Sequence, residues 1–479
     1  MHLPARQSLG LVLGPLLFLL VLLMPAPAGM PAAAQVVAAV TLLMATWWIC
    51  ETVPMAVTAL LPLVLFPLLG VMGTGAVSGA YANQLIFLFL GGFMIAMAMQ
   101  KWQMHRRIAL LILSRLGGGR HRILLGVMLA TALLSMWISN TATALMMLPI
   151  VLAVIANQQQ QQGVADTRLA TSLMLAIAWS ASIGGVATLI GSPPNAILAG
   201  FLERLTGTTL GFAQWMGFAL PLTLIMLTLA WLYLRYLIGP ETASQDKQRQ
   251  GELLQQQLSE LGPWQREEKM ILAVFLCVAA GWILPGFFSP PWLSGVGDAS
   301  FALAGAILLF LLPASRSETG EGRKLLDWRS AANLPWDILL LFGGGFALAS
   351  GFEQSGMTAW SVSQLEHLGQ VPPFLLVLSI TLMVIFITGV TSNTATATIV
   401  LPIAGALALA MGMPASLLMI PAAIAASYAF MLPVGTPPNA IVFAGGHLTV
   451  MQMAVTGFWL NLIATAVVSV FVWFFAPSW

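Results

Sequence analysis

Apolar runs separated by short polar or Gly/Pro breaks fill most of the chain, the first of them near residues 8 to 24, 34 to 50, 54 to 72 and 84 to 100. Each is close to the roughly 20 apolar residues that one helical bilayer crossing needs. Residues 101 to 122 change the pattern: basic side chains alternate with apolar ones at helical spacing, which predicts a helix lying along the membrane surface. From 123 to 155 the chain is apolar again around a polar SNTATA centre at 139 to 144. Each flanking arm, with about 16 residues, is short for a crossing and predicts a re-entrant hairpin whose tip stops inside the bilayer. Further spans near 169 to 202 and 214 to 239 precede a polar stretch from Glu241 to Glu268, while the run Gln158 to Gln162 reads as a solvated loop. The run at 8 to 24 follows Arg6 and ends at Pro25 and Pro27. A cleavable signal peptide has that outline, but the length of the run favours a first membrane helix stopped by prolines.

The second half repeats this plan. FLGGF at 89 to 93 matches FGGGF at 342 to 346, SNTATA recurs at 392 to 397, and LPI at 148 to 150 recurs at 401 to 403, all offset by 253 residues. PPNAI at 193 to 197 recurs at 437 to 441 with an offset of 244, the glutamine run accounting for the shorter spacing. Four ordered matches, one a polar hexamer, predict a duplicated architecture.

Composition agrees with a membrane bundle: 59% of the 479 residues are hydrophobic and 7% charged, against about a quarter charged in a soluble domain. A net charge of +2 offers no field for nucleic acid. Cys50 and Cys277 are too few for a disulfide framework or a cysteine metal cluster. The sparse charges also orient the chain, because Lys and Arg in short loops favour the cytoplasm. Placing Arg6 and the basic residues of 101 to 168, 235 to 269 and 316 to 329 inside accounts for 17 of 18, leaving Arg204 opposite. The base of the second hairpin, Gly351 to Pro373, has no Lys or Arg and belongs outside. Equivalent hairpins then enter from opposite faces, the signature of the inverted repeats that secondary transporters use around a midplane site.

In each copy a Ser-Asn-Thr lies between two short apolar helices. These side chains satisfy the orphan N–H groups that open the second arm, and those N–H groups carry positive dipole character. Asn140 and Asn393 each offer an acceptor oxygen and two donor hydrogens, so one residue can face a cation and a carboxylate together. The second pair is Gly191-Ser192-Pro193-Pro194-Asn195 and Gly435-Thr436-Pro437-Pro438-Asn439. Consecutive prolines in an apolar run interrupt the helix and free carbonyls for a hard cation, provided they line a protein cavity. No ionisable side chain occurs in any of the four motifs. A bound anion and its coupling cation must then neutralise each other.

The SNT and PPN pairs, together with Trp47-Trp48-Ile49-Cys50-Glu51-Thr52-Val53-Pro54 and Ala59-Leu60-Leu61-Pro62, resemble the divalent anion/sodium symporter family over nearly the whole chain. That family transports dicarboxylates, citrate or sulfate. The resemblance implies an all-α polytopic homodimer with inverted-topology repeats, about 11 transmembrane helices, two re-entrant hairpins and broken helices, working by an elevator motion. It implies one Na+ site at Ser135, Ser139, Asn140 and Gly191, and a second at Thr388, Thr391, Asn393 and Gly435. Substrate carboxylates would be held by Asn140 and Thr141 on one side and Ser392, Asn393 and Thr394 on the other, with Ser192, Thr436 and Pro437 nearby. Thr391 and Gly435 stand where some relatives carry alanine, and backbone carbonyls would serve there.

The resulting organisation is a first transmembrane helix at 1–30, a first repeat at 31–240, a cytoplasmic connector at 241–265 and a second repeat at 266–479. The first repeat would contain an arm helix at 101–118, a hairpin at 121–155 and a broken helix at 168–203; the second, an arm at 353–370, a hairpin at 373–410 and a broken helix at 415–446. The expected function is sodium-coupled import of C4-dicarboxylates such as succinate, malate or fumarate, across the plasma (inner) membrane, with the N-terminus cytoplasmic and the C-terminus outside. Dicarboxylate exchange and sodium-coupled citrate or sulfate transport are alternatives within transport. An anion channel or an intramembrane enzyme is the alternative outside it, though an enzyme would need convergent acid, base or metal-binding groups that the repeated motifs do not contain. Glu51, Asp337 and Glu353 read as packing or interfacial residues, and His105, His121, His367 and His447 as surface or packing histidines.

Overall fold

The computed structural model describes residues 5–162, 166–240, 244–286, 288, 295–315, 324–365 and 371–476. They form helices throughout, with one isolated bridge between Pro313 and Lys324. Nine of the described helices are long and apolar enough to cross a membrane.

The most deeply placed helix is Thr167–Val186, buried along nearly its whole length. Around it pack the first hairpin, the long helix Phe212–Ile238 and the short helix Pro437–Ala444. Small residues make this closeness possible: a Cβ at Gly184 would collide with the backbone of Ala132 in the hairpin arm. At the periphery, Ala5–Leu23 packs on Ala32–Cys50 through Gly10 and Gly14, whose added Cβ atoms would strike Cys50 and Trp47. Its other faces expose Leu9, Val12, Leu16 and Leu19, the surface a lipid-facing helix presents.

Each repeat carries a helical hairpin followed by a broken helix. The first hairpin has arms Arg120–Ser135 and Asn140–Gln162, and the second Pro373–Ile387 and Asn393–Ala410. The broken helices are Thr167–Val186 with Pro193–Thr206, and Ser416–Ser427 with Pro437–Ala444. Two expectations need correction. Gln158 to Gln162 is not a loop: the second arm stays helical through Gln162, 23 residues in all, and Gln158 is buried. Glutamine is a good helix former, so the arm propagates through the run, and Asp166 caps the next helix. The span at 54 to 72 is not one helix either. It divides into Met55–Thr58 and Leu61–Leu68, with Pro62 in the first turn of the second piece.

The arm helix Met104–Leu116 leads into the first hairpin through Gly117 and Gly119, whose φ values of +76° and +112° favour glycine. A polar helix, Ser244–Glu260, packs along the arm. Arg107 fastens it there: Nε donates to Glu268 Oε1 at 2.7 Å, Nη1 to the Gly262 carbonyl at 2.8 Å and Nη2 to the Leu261 carbonyl at 3.0 Å. Both partners of the ion pair are buried, and the guanidinium also lies over the Trp264 ring. Such a pair holds together because its remaining donors are satisfied. His105 and His121 rest against the carbonyls of Met99 and Gly239, whereas His367 lies outside the described residues.

Candidate functional site

Both helix breaks are built by the same device. The paired prolines occupy the first turn of Pro193–Thr206 and of Pro437–Ala444, where a missing N–H costs nothing. The asparagine that follows folds back across the break. Asn195 Nδ2 donates to the carbonyls of Gly185 at 3.0 Å and Thr188 at 2.8 Å. Asn439 Nδ2 donates to those of Ala429 at 2.7 Å and Leu432 at 2.8 Å. Both asparagines are fully buried, so they satisfy carbonyls that the interrupted helix would leave orphaned.

Each hairpin tip meets the break that follows it in a cradle of oxygen atoms. In the first, Ser135 Oγ stands 2.5 Å from the Asn140 amide oxygen and 2.7 Å from the Ala181 carbonyl. The inner atom of that amide also lies 3.1 Å from the carbonyls of both Ala181 and Gly191. In the second, Thr388 Oγ1 stands 2.9 Å from the Asn393 amide oxygen and 2.8 Å from the Ala426 carbonyl, while the inner amide atom lies 3.1 Å from the Ala426 and Gly435 carbonyls. If the amide nitrogen turns inward, it donates to these oxygens and closes the cradle. If the oxygen turns inward, four oxygens face one another, which is favourable around a hard cation. The donor set fits sodium: hydroxyl, amide and backbone oxygens with no carboxylate.

Between the cradles lies one cavity of about 530 Å³, lined by both tips and both breaks. Four helices begin at its wall, at Asn140, Pro193, Asn393 and Pro437. All four N-termini turn positive dipole ends toward the same space, and the two hairpin arms that open at Asn140 and Asn393 add first-turn N–H groups that the two proline-led helices lack. An anion can be held there without a basic side chain. Phe89, Phe93, Ile190 and Leu341 supply apolar wall, and the charged lining residues are Arg6, Glu51 and Asp337. Arg6 pairs with Glu51 at 3.8 Å, both side chains about half exposed, and donates to the Ile49 carbonyl.

Of the residues singled out by motif, Ser139, Asn140, Thr141, Gly191, Ser192, Thr391, Ser392, Asn393, Thr394, Gly435, Thr436 and Pro437 all line this cavity. Ser135 and Thr388 are fully buried one layer behind, touching the tip asparagines. Three hydroxyls are engaged locally: Ser139 Oγ accepts from Ala142 N, Thr436 Oγ1 accepts from Asn439 N, and Thr391 Oγ1 donates to the Ile387 carbonyl. Glu51 and Asp337 are exposed and line the cavity. The sequence reading passed over the roles of Asn195, Asn439, Ala181 and Ala426. The asparagines were visible in the repeated PPN word, whereas the alanines act through carbonyls that every residue carries.

The pattern of the sodium:sulfate symporter transmembrane region matches residues 6–478. Among curated proteins, a sodium-dependent dicarboxylate transporter, SdcS, of Staphylococcus saprophyticus is 45% identical over 479 residues, covering 98% of this chain and 92% of that one. The protein of the same name from Staphylococcus aureus is 45% identical over 480 residues, covering 99% and 92%. Among solved structures, the fold resembles the MtrF protein of Neisseria gonorrhoeae, with a TM-score of 0.59 at 12% identity over 98% of this chain and 95% of that one. It also resembles the YdaH transporter of Alcanivorax borkumensis, with a TM-score of 0.55 at 14% identity over 84% and 88%. Motifs, repeats and the near-complete match agree: the chain belongs to the sodium:sulfate symporter family of membrane transporters, the divalent anion/sodium symporters.

Proposed function

We propose that this chain imports C4-dicarboxylates such as succinate, malate or fumarate together with sodium. One observation carries the reading: two matched cradles of uncharged oxygens flank a single cavity into which four helix N-termini point. A dianion placed between the tips meets no basic side chain in the four motifs, and Arg6 on the cavity wall is already paired with Glu51, so bound cations supply the compensating charge and the two processes become coupled. Opposite tips suit a substrate with two carboxylates, Asn140 and Thr141 receiving one and Ser392, Asn393 and Thr394 the other. Ser135, Ser139, Asn140 and Gly191 form the first sodium site, and Thr388, Thr391, Asn393 and Gly435 the second. Ser192, Thr436 and Pro437 close the space between. The staphylococcal relatives' description as sodium-dependent dicarboxylate transporters supports this choice of substrate.

In this reading the hairpins and broken helices move as one body in an elevator, and the remaining helices form the scaffold of a homodimer embedded in lipid. Burial of the Thr167–Val186 helix within that body supports its moving as a unit. The N-terminus is cytoplasmic and the C-terminus outside, following the asymmetry of Lys and Arg. Arg6, Glu51 and Asp337, which line the cavity, then lie toward its cytoplasmic side.

The test is uptake of labelled succinate into proteoliposomes under an imposed inward sodium gradient, with malate, fumarate, citrate and sulfate as competitors. Sodium-driven accumulation blocked by C4-dicarboxylates is expected. Uptake indifferent to sodium refutes the coupling, accumulation that requires internal dicarboxylate makes the protein an exchanger, and block by sulfate alone refutes the substrate.

A further inference from the structure

Between the two cradles runs a single hydrogen bond. Ser192 Oγ lies 2.9 Å from Ser427 Oγ, and the two residues are 1% and 0% exposed. Each serine directly follows a cradle carbonyl in the chain: Gly191, of the first cradle, precedes Ser192, and Ala426, of the second, precedes Ser427. The two cradles are thus joined by two peptide units and one buried hydroxyl pair.

We propose that Ser427 acts as a positioning residue that couples the two sodium sites through Ser192; this rests on the sodium reading above. A cation in the first cradle draws in the Gly191 carbonyl and fixes the peptide that carries Ser192. The hydroxyl pair passes that constraint to Ser427 and so to the Ala426 carbonyl. Ordering the second cradle is then already accomplished when the second ion arrives, which gives positive cooperativity without a large movement. The effect is reciprocal, whichever site fills first.

The repeat itself supplies a control. Ala181 and Ala426 have the same place in their cradles, so Ser182 is the counterpart of Ser427, and Thr436 that of Ser192. Thr436 instead accepts a hydrogen bond from Asn439 N, and the buried Ser182 hydroxyl has no hydrogen-bond partner among the described residues. One of two symmetry-equivalent links is formed. A generic packing role would make the two serines alike; a coupling role separates them.

Equilibrium binding of radioactive sodium to the purified protein, without substrate, reads this directly. The wild type is expected to bind with a Hill coefficient above unity, Ser182→Ala to match it, and Ser427→Ala to reach the same saturation with a Hill coefficient close to unity. Ser427→Cys, which keeps the size and a weak donor, should fall between, and it carries the test should the alanine variant not fold. An unchanged Hill coefficient in the Ser427 variants, an equal loss in Ser182→Ala, or independent binding in the wild type overturns the coupling while leaving the transport reading intact. Absence of any sodium binding by the folded wild type overturns the transport reading itself.

Discussion

Replacing Gly185 by alanine should disable the first cradle without altering any side chain that forms it. A Cβ on Gly185 would lie 2.5 Å from the Asn140 amide oxygen, 2.9 Å from the Gly191 carbonyl oxygen and 3.0 Å from Asn140 Nδ2, where ordinary contacts begin at 3.4 Å. None of the neighbours can yield freely. Asn140 is held by Ser135, the Gly191 amide by Thr188 Oγ1 at 3.1 Å, and the Gly185 carbonyl by Asn195. Overpacking of this kind costs about 1–3 kcal/mol. Since the strain falls on the atoms that would ligate the ion, it should weaken sodium binding by roughly 5- to 150-fold, the equivalent of that energy. The substitution is chemically mild, for the second copy already carries alanine at the matching position, Ala429, where the chain has left the helix and runs in a non-helical stretch. The assay is the sodium dependence of succinate uptake in proteoliposomes at saturating succinate, with monodispersity and thermal unfolding checked in parallel. A folded Gly185→Ala protein whose apparent sodium affinity stays within a factor of two of the wild type would refute the assignment of this cradle.

Other expectations follow from the same geometry. Asn140→Ala and Asn393→Ala each remove the amide at the centre of a cradle, so both should abolish sodium-dependent uptake while the protein still inserts and is purified at normal yield; retained uptake in both would exclude the assigned roles. Arg107→Met leaves Glu268 as an uncompensated buried charge, a loss of about 3–5 kcal/mol, and should lower the unfolding temperature in detergent more than the double variant Arg107→Met/Glu268→Gln does. On the exposed side, the Lys101 ammonium at 2.5 Å holds Asp327 down to a pKa of about 2, helped by the Ser330 amide. A carboxylate depressed below its unfolded value adds stability above that value and loses it as pH falls toward about 2. Asp327→Asn should therefore cost little, and by the same amount at every pH from mildly acidic to alkaline, with the gap closing only under strong acid. A gap that closes near neutrality would contradict the assignment.

What the sequence disclosed and what it hid divide along a physical line. Ser-Asn-Thr and Pro-Pro-Asn stood out because polar and helix-breaking residues are costly inside an apolar run, and their recurrence pointed to one site before any coordinates. Every motif residue then came to the cavity or to the layer directly behind it. The carbonyls of Ala181 and Ala426 left no trace, because a backbone oxygen has no letter of its own. The place of Glu51 and Asp337 on the cavity wall was hidden for a related reason: it depends on how distant segments meet, and no local pattern records it. The glutamine run failed differently. Low complexity suggested a solvated loop, but intrinsic helix propensity and an already nucleated arm carried the helix through it.

The duplication is symmetric in its framework and asymmetric in its chemistry, and the asymmetry bears on how the two sites divide their work. The staples at Asn195 and Asn439 are alike to within a few tenths of an ångström in their acceptor distances. Around them, the first cradle has Ser135 and a glycine at 185, where an added methyl group would clash, and its break runs from 187 to 192; the second has Thr388 and Ala429, and its break runs from Tyr428 through Thr436 with one turn closed from Gly435 N to the Leu432 carbonyl. Each cradle takes one carbonyl from a helix and one from a break; the shorter break, 187 to 192, has fewer residues to order on binding than the longer one, 428 to 436, which must be ordered by its ion. The first site should therefore fill at lower sodium, and the hydroxyl pair between Ser192 and Ser427 would carry its order into the second. Two occupied sites then surround the cavity with the positive charge that its own side chains do not provide, and only at that point does a dianion find compensation there.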